Sequence, residues 1–212
     1  MAKERKVIVI DHDVTEKELS LLPKDVDEVT VKGNVHLSCD SFYSFYLYVY
    51  GNLESFEEDD IDHCYNIRIG GSLCVTGNIT CRNIRVADNL LVDGNVDCYD
   101  IYVENIFLVK GNVECKNITT GCDCYVDGKV DCQNIHVGNN LSVKGDIDCG
   151  EIRTRYNCSV NGNVDCLEVY VGGNFSLKQS IDSNGFCIHV GGTLSVNGEV
   201  DCGCIYTGTN LS

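Results

Sequence analysis

The chain has 212 residues, with 32 Asp and Glu against 16 Lys and Arg, for a formal net charge of −16 at pH 7. That balance argues against direct binding to DNA, RNA or an anionic membrane surface and leaves a protein partner open. Fifteen cysteines and a single proline complete an unusual composition.

Residues 1–28 carry no repeat. Lys6-Val7-Ile8-Val9-Ile10 reads as a strand, and Thr15-Glu16-Lys17-Glu18-Leu19 as a short helix stopped by Pro23. Together they are expected to form an N-terminal cap over the first turn of a repeat structure. The four apolar residues after Lys6 are too few for a signal peptide or a transmembrane segment, so a cytoplasmic protein is expected.

Residues 29–66 read as degenerate turns with inserted loops. Val31-Lys32-Gly33-Asn34-Val35 matches Val109-Lys110-Gly111-Asn112-Val113. Insertions follow at Ser38 to Ser44 and in the acidic run Glu57-Glu58-Asp59-Asp60. Tyr46, Tyr48 and Tyr50 alternate with Leu47 and Val49, so the three tyrosines should point outward as a contact strip.

Residues 67–212 form a regular 17-residue repeat. Ile67, Ile84, Ile101, Ile118, Ile135, Ile152 and Val169 fall at one phase; after a two-residue insertion, Ile188 and Ile205 resume it. A fixed period of this length marks a solenoid. In the unit Ile135 to Glu151 the apolar residues come as Ile135/Val137, Leu141/Val143 and Ile147/Cys149, each pair with one residue between. Apolar alternation is the signature of a strand with one buried face. Gly138-Asn139-Asn140, Lys144-Gly145-Asp146 and Gly150-Glu151 separate the pairs as tight corners. The expected fold is an all-β, single-stranded parallel β-helix with three short strands per turn, in one continuous domain. Like residues then form columns, such as Val75, Val92, Val109, Val126, Val143 and Val160. Turns about 4.8 Å apart give a rod on the order of 50 Å long. Inward residues recur at steps of six, six and five, but the place two before the aliphatic holds Ile, Leu or Val where left-handed hexapeptide helices hold a small residue. A right-handed helix is therefore expected.

Three features of the repeat bear on function. Cys81, Cys98, Cys115, Cys132, Cys149, Cys166 and Cys202 share one inward position, with Ser183 substituting once. They read as a buried structural column of free thiols in a reduced protein, ahead of cross-turn disulfides and of metal binding. Asp97, Glu114, Asp131, Asp148, Asp165, Asp182 and Asp201 precede them and should point outward. Like charges this close repel by about 1 kcal/mol per neighbouring pair even in water. The column reads as a solvated face that keeps the rod soluble, or as a strip for divalent cations. Lys110, Lys144 and Lys178 are out of phase with it. Finally, Ile205, Tyr206, Thr207 and Leu211 lie in a turn that stops halfway round, which exposes unpaired backbone groups to another copy.

No sequence motif for catalysis or a cofactor is present. Outward columns are read as Gly, Asn, Ser and Asp, with His136 and His189 three turns apart, so no basic or histidine-bearing groove is expected.

The stretch Val137-Gly138-Asn139-Asn140-Leu141-Ser142-Val143-Lys144-Gly145-Asp146-Ile147-Asp148-Cys149 and its seventeen-spaced copies resemble the bactofilins, polymer-forming bacterial cytoskeletal proteins. Their β-helical core repeats units of the type G-x-V-x-G-x-I-x-A. The resemblance spans about residues 67–212 and implies a scaffold that polymerises through rod ends; an N-terminal cap would restrict it to a dimer through the C-terminal turn. The competing expectation is a non-enzymatic binding module acting through the tyrosines or the acidic column. An enzyme would need a pocket in the 38–63 insertions.

Overall fold

The computed structural model describes residues 6–23, 26–37, 41–42, 46–55, 61–183, 185 and 187–209. Among them every paired strand is parallel to its neighbour, and the chain winds as a β-solenoid. One sheet of 18 strands and one of 11 enclose a continuous apolar core.

Register is set by the core. The repeat isoleucines lie directly opposite one another, Ile84 on Ile67, Ile101 on Ile84, and so on to Ile205 on Ile188. From Val29 to Ile188 each member of this column is 1% exposed or less. The Val75-to-Val160 column stands on the smaller sheet and is buried throughout. Burial of each such side chain contributes about 1.5–3 kcal/mol, and slipping the register by one residue would turn the whole set outward.

Corners are held by side-chain amides reaching one coil along. Asn95 Oδ1 accepts the Asn112 N–H at 2.8 Å, and Asn112 Oδ1 accepts the Lys129 N–H at 2.8 Å. A second ladder serves the other corner, with Asn140 Oδ1 accepting from Asn157 N and Asn157 Oδ1 from Asn174 N. These bonds satisfy corner N–H groups that the sheet ladders miss. Glycine precedes the amide because the backbones approach closely there: a Cβ on Gly111 would strike the carbonyl of Gly94.

The expected third corner is flattened in some coils and kept as a break between two strands in others, such as Val96–Asp97 and Asp100–Val103. Ile79–Val86, Ile147–Thr154 and Val164–Val171 run through it as single strands, so two of the three segments share one sheet. The two-residue insertion after Val169 is accommodated at this same corner, where Gly185 takes a φ of +82° that suits glycine.

Within the N-terminal segment the strand joins the solenoid as a rung of its own. Strand Val7–Ile10 pairs with Glu28–Val31, Ile8 opposite Val29, and forms the first rung. Asp13 Oδ1 accepts the Asn34 N–H at 2.8 Å, and Asn34 Oδ1 that of Asn52 at 2.9 Å, extending the corner ladder into this coil. Helix Glu16–Ser20 then covers the interior with Leu19, 2% exposed. The helix starts at Thr15, whose N–H donates to Glu18 Oε2 at 3.0 Å.

The match of Val31–Val35 to Val109–Val113 is corrected by the register. Val31 lies opposite Val49 and Val35 opposite Leu53, which places the segment at the corner of Val137–Leu141. Both corners use the same Gly-Asn chemistry, so the motif alone does not separate them.

Candidate binding face

The large sheet presents two outward columns. One is the acidic series. Asp97, Glu114, Asp131, Asp148, Asp165, Asp182 and Asp201 stand in register and are all exposed. Lys110 and Lys144 pair elsewhere, with Asp93 and Asp127, each at 2.8 Å. Lys129, however, reaches within 3.7 Å of Asp131, so the column is not wholly free of cations. Among the described residues no three His, Cys, Asp or Glu side chains are gathered as metal ligands.

The other column follows each repeat isoleucine by one residue. It runs Tyr48, Arg68, Arg85, Tyr102, Thr119, then His136, Arg153, Tyr170, His189, Tyr206, all in register. This corrects the expectation that no basic or histidine-bearing groove exists. The side chains stack along the rod. Arg85 lies over the Tyr102 ring at 4.7 Å and Arg153 over Tyr170 at 4.8 Å. Tyr170, His189 and Tyr206 stack at 4.9 and 4.7 Å, nearly parallel. Such contacts preorganise flexible side chains at little further entropic cost. The position after each core isoleucine was readable at the same 17-residue spacing; its varied residue types hid it.

Charge divides this column. Glu151, in the next column, accepts from His136 Nε2 at 3.1 Å and Arg153 Nε at 2.9 Å. Burial pushes the Glu151 carboxyl up, but these two hydrogen bonds outweigh it and hold it below the ordinary value. That stretch is neutralised. Arg68 and Arg85 are exposed, and among the described residues neither pairs with a carboxylate.

Clefts follow the same column. One of about 510 Å³ is lined by Tyr48, Tyr50, Arg68 and Arg85, with Glu28 and Glu104 in its wall. Another of about 520 Å³ lies over Tyr170, His189 and Tyr206. Of the expected tyrosine strip, Tyr48 is half-buried and Tyr50 is 68% exposed, while Leu47 and Val49 point inward. Tyr46 belongs to the same strand, but its side chain lies outside the described residues.

The cysteine column faces inward. Cys98, Cys132, Cys149 and Cys166 are buried, whereas Cys81, Cys115 and Cys202 are half-buried against the core. Burial pushes the Cys98 thiol up to about 12, so it stays protonated and unreactive at neutral pH. Cys149 Sγ donates a hydrogen bond to Cys166 Sγ at 3.4 Å, and no disulfide joins them. The expectation of free thiols needs one amendment: Cys187 and Cys204, outside this column, form a disulfide between adjacent rungs with Cα atoms 4.6 Å apart.

At the C-terminal end Ile205 and Thr207 are half-buried and Tyr206 is 58% exposed; Leu211 lies outside the described residues. Strand Cys204–Thr207 pairs only with Cys187–Val190 among the described residues. No helix among them is long and apolar enough to cross a membrane. Compared with protein-family profiles, curated proteins and solved structures, the chain gives no match in any of the three.

Proposed function

We propose that this chain is a non-catalytic structural rod that joins copies of itself end to end through its C-terminal coil, in a cytoskeleton-like role of the kind the bactofilin resemblance implies. One observation carries the reading. Val196, Val200 and Ile205 occupy the same core columns as Leu177, Ile181 and Ile188 one coil earlier. The earlier three are 1% exposed or less, yet Val200 is 37% exposed and Val196 and Ile205 are only half-buried. Apolar surface beside an open strand edge favours another strand, because pairing satisfies the backbone and removes the side chains from water. A second copy supplies both. Negative-stain electron microscopy of the protein under non-reducing conditions tests the reading. Filaments or two-rod particles longer than the roughly 50 Å of one solenoid support it; single rods at every concentration overturn it.

A further inference from the structure

We propose that the cleft on the N-terminal half of the large sheet binds an acidic oligosaccharide, one containing uronic-acid residues. This inference is independent of end-to-end association. It rests on which groups meet in the cleft of about 510 Å³, a volume that suits a ligand of a few rings.

Arg68 and Arg85 sit on successive rungs, directly opposite each other, and point out of the sheet. Neither is paired with a carboxylate among the described residues, although the chain carries twice as many acidic as basic residues. A guanidinium presents two parallel N–H donors that match a carboxylate, so two of them on adjacent rungs define an anion site. Arg85 is already held over the Tyr102 ring, which leaves its donor edges free and lowers the entropic cost of binding. Tyr48 lies one rung below Arg68, and Tyr50 stands beside it at the cleft's edge. Their rings offer flat apolar faces to the C–H face of a pyranose.

The wall decides between anions. Glu28 and Glu104 line the same cleft. Carboxylates accept hydrogen bonds from hydroxyl groups and repel phosphates. A ligand that has isolated carboxylates among many hydroxyls satisfies both wall and floor. A polyphosphate chain, which has no hydroxyl groups to donate to the wall and more charge per unit, does not. Spacing agrees as well: rungs about 4.8 Å apart are close to the length of one sugar unit in a chain, so successive units meet successive rungs. Tyr102, Thr119 and His136 continue the track beyond the cleft.

Isothermal titration calorimetry with tetramers of galacturonate, glucuronate and mannuronate tests the proposal, with cellotetraose and octathymidylate as comparisons. At least one acidic tetramer binds, cellotetraose binds at least tenfold more weakly, and Arg68→Gln and Arg85→Gln each weaken the acidic tetramer about tenfold. Both arginines are exposed, so the variants keep the wild-type circular dichroism spectrum and melting temperature. Failure of all three acidic tetramers to bind overturns the proposal. So does unchanged affinity in both variants, or tighter binding of octathymidylate. Particle length in electron microscopy is unaffected by these variants, so the two proposals fail separately.

Discussion

The two ends of the rod close their cores in different ways. At the N-terminal end, Val14, Leu19 and Val26 are all 4% exposed or less, and a short helix brings Leu19 over the interior. At the C-terminal end, Val200 is 37% exposed and the equivalent apolar positions are only half-buried. A solenoid coil buries its hydrophobic face only against neighbours, so every terminal coil must be covered by something. One end carries its cover within the chain. At the other, the described residues display a coil built to the repeat pattern, the surface on which the proposed end-to-end contact rests. The outer edge of strand Val7–Ile10 qualifies this contrast. Ile8 and Ile10 there, which continue the core columns of Val29 and Val31, are only half-buried, as Ile205 is, so the helix covers the interior beside Leu19 but not this rung of the large sheet.

The contrast can be broken most strongly at Leu19. Leu19→Ala leaves a void beneath the helix and should cost about 3–4 kcal/mol, read as a shift of the denaturation midpoint at unchanged slope. An effect below about 1 kcal/mol would mean that the helix is not the cover. At the opposite end, the Cys187–Cys204 bond closes a loop with a sequence separation of 17. Cys204→Ser should cost roughly 2–3 kcal/mol and should raise hydrogen exchange in Cys204–Thr207 before other coils. Equal exchange across all coils would show that the last rung needs no staple. Thr15→Ala keeps the backbone bond to Glu18 but removes that of the hydroxyl, 3.3 Å long, and should cost about 0.5–1 kcal/mol, also read from denaturation midpoints.

The smallest expected effect is acid fraying of the helix. The Thr15 N–H, and then His12, hold the exposed Glu18 carboxyl below its usual value. A carboxyl with a lowered folded value stabilises above its unfolded value, about 4.3, and that support is lost as pH falls through the folded value. Protection of the helix amides, relative to their intrinsic exchange rates, should therefore fall below about pH 4 in the wild type, and Glu18→Gln should abolish this dependence.

Much of this architecture was legible because the core writes it. Inward positions hold mostly Val, Ile, Leu or Cys, with Phe107, Thr120 and Ser183 among the exceptions, so Ile67 through Ile205 announce both period and register. Exposed positions carry no such constraint. Tyr48, Arg68, Arg85 and His136 form one column in space but share no residue type, and a search for repeated letters passes over them. The first coil was hidden for another reason. Ile8 and Val29 are neighbours across a 21-residue coil that contains a helix, so neither spacing nor the Gly-Asn corner marks it. Val31–Val35 misled because two different corners share one chemical solution. The flattened third corner was obscured because the step of three from Cys149 to Ile152 interrupts the alternation as a turn would.

The most direct test of self-association is the mass in solution by light scattering over a concentration series, for the wild type and for Val200→Asp. One chain weighs 23.3 kDa. The account predicts that the wild type rises to two chains or more and that Val200→Asp, still folded by circular dichroism, remains at one. A wild type that stays at one chain throughout, or a variant that assembles as the wild type does, would contradict it.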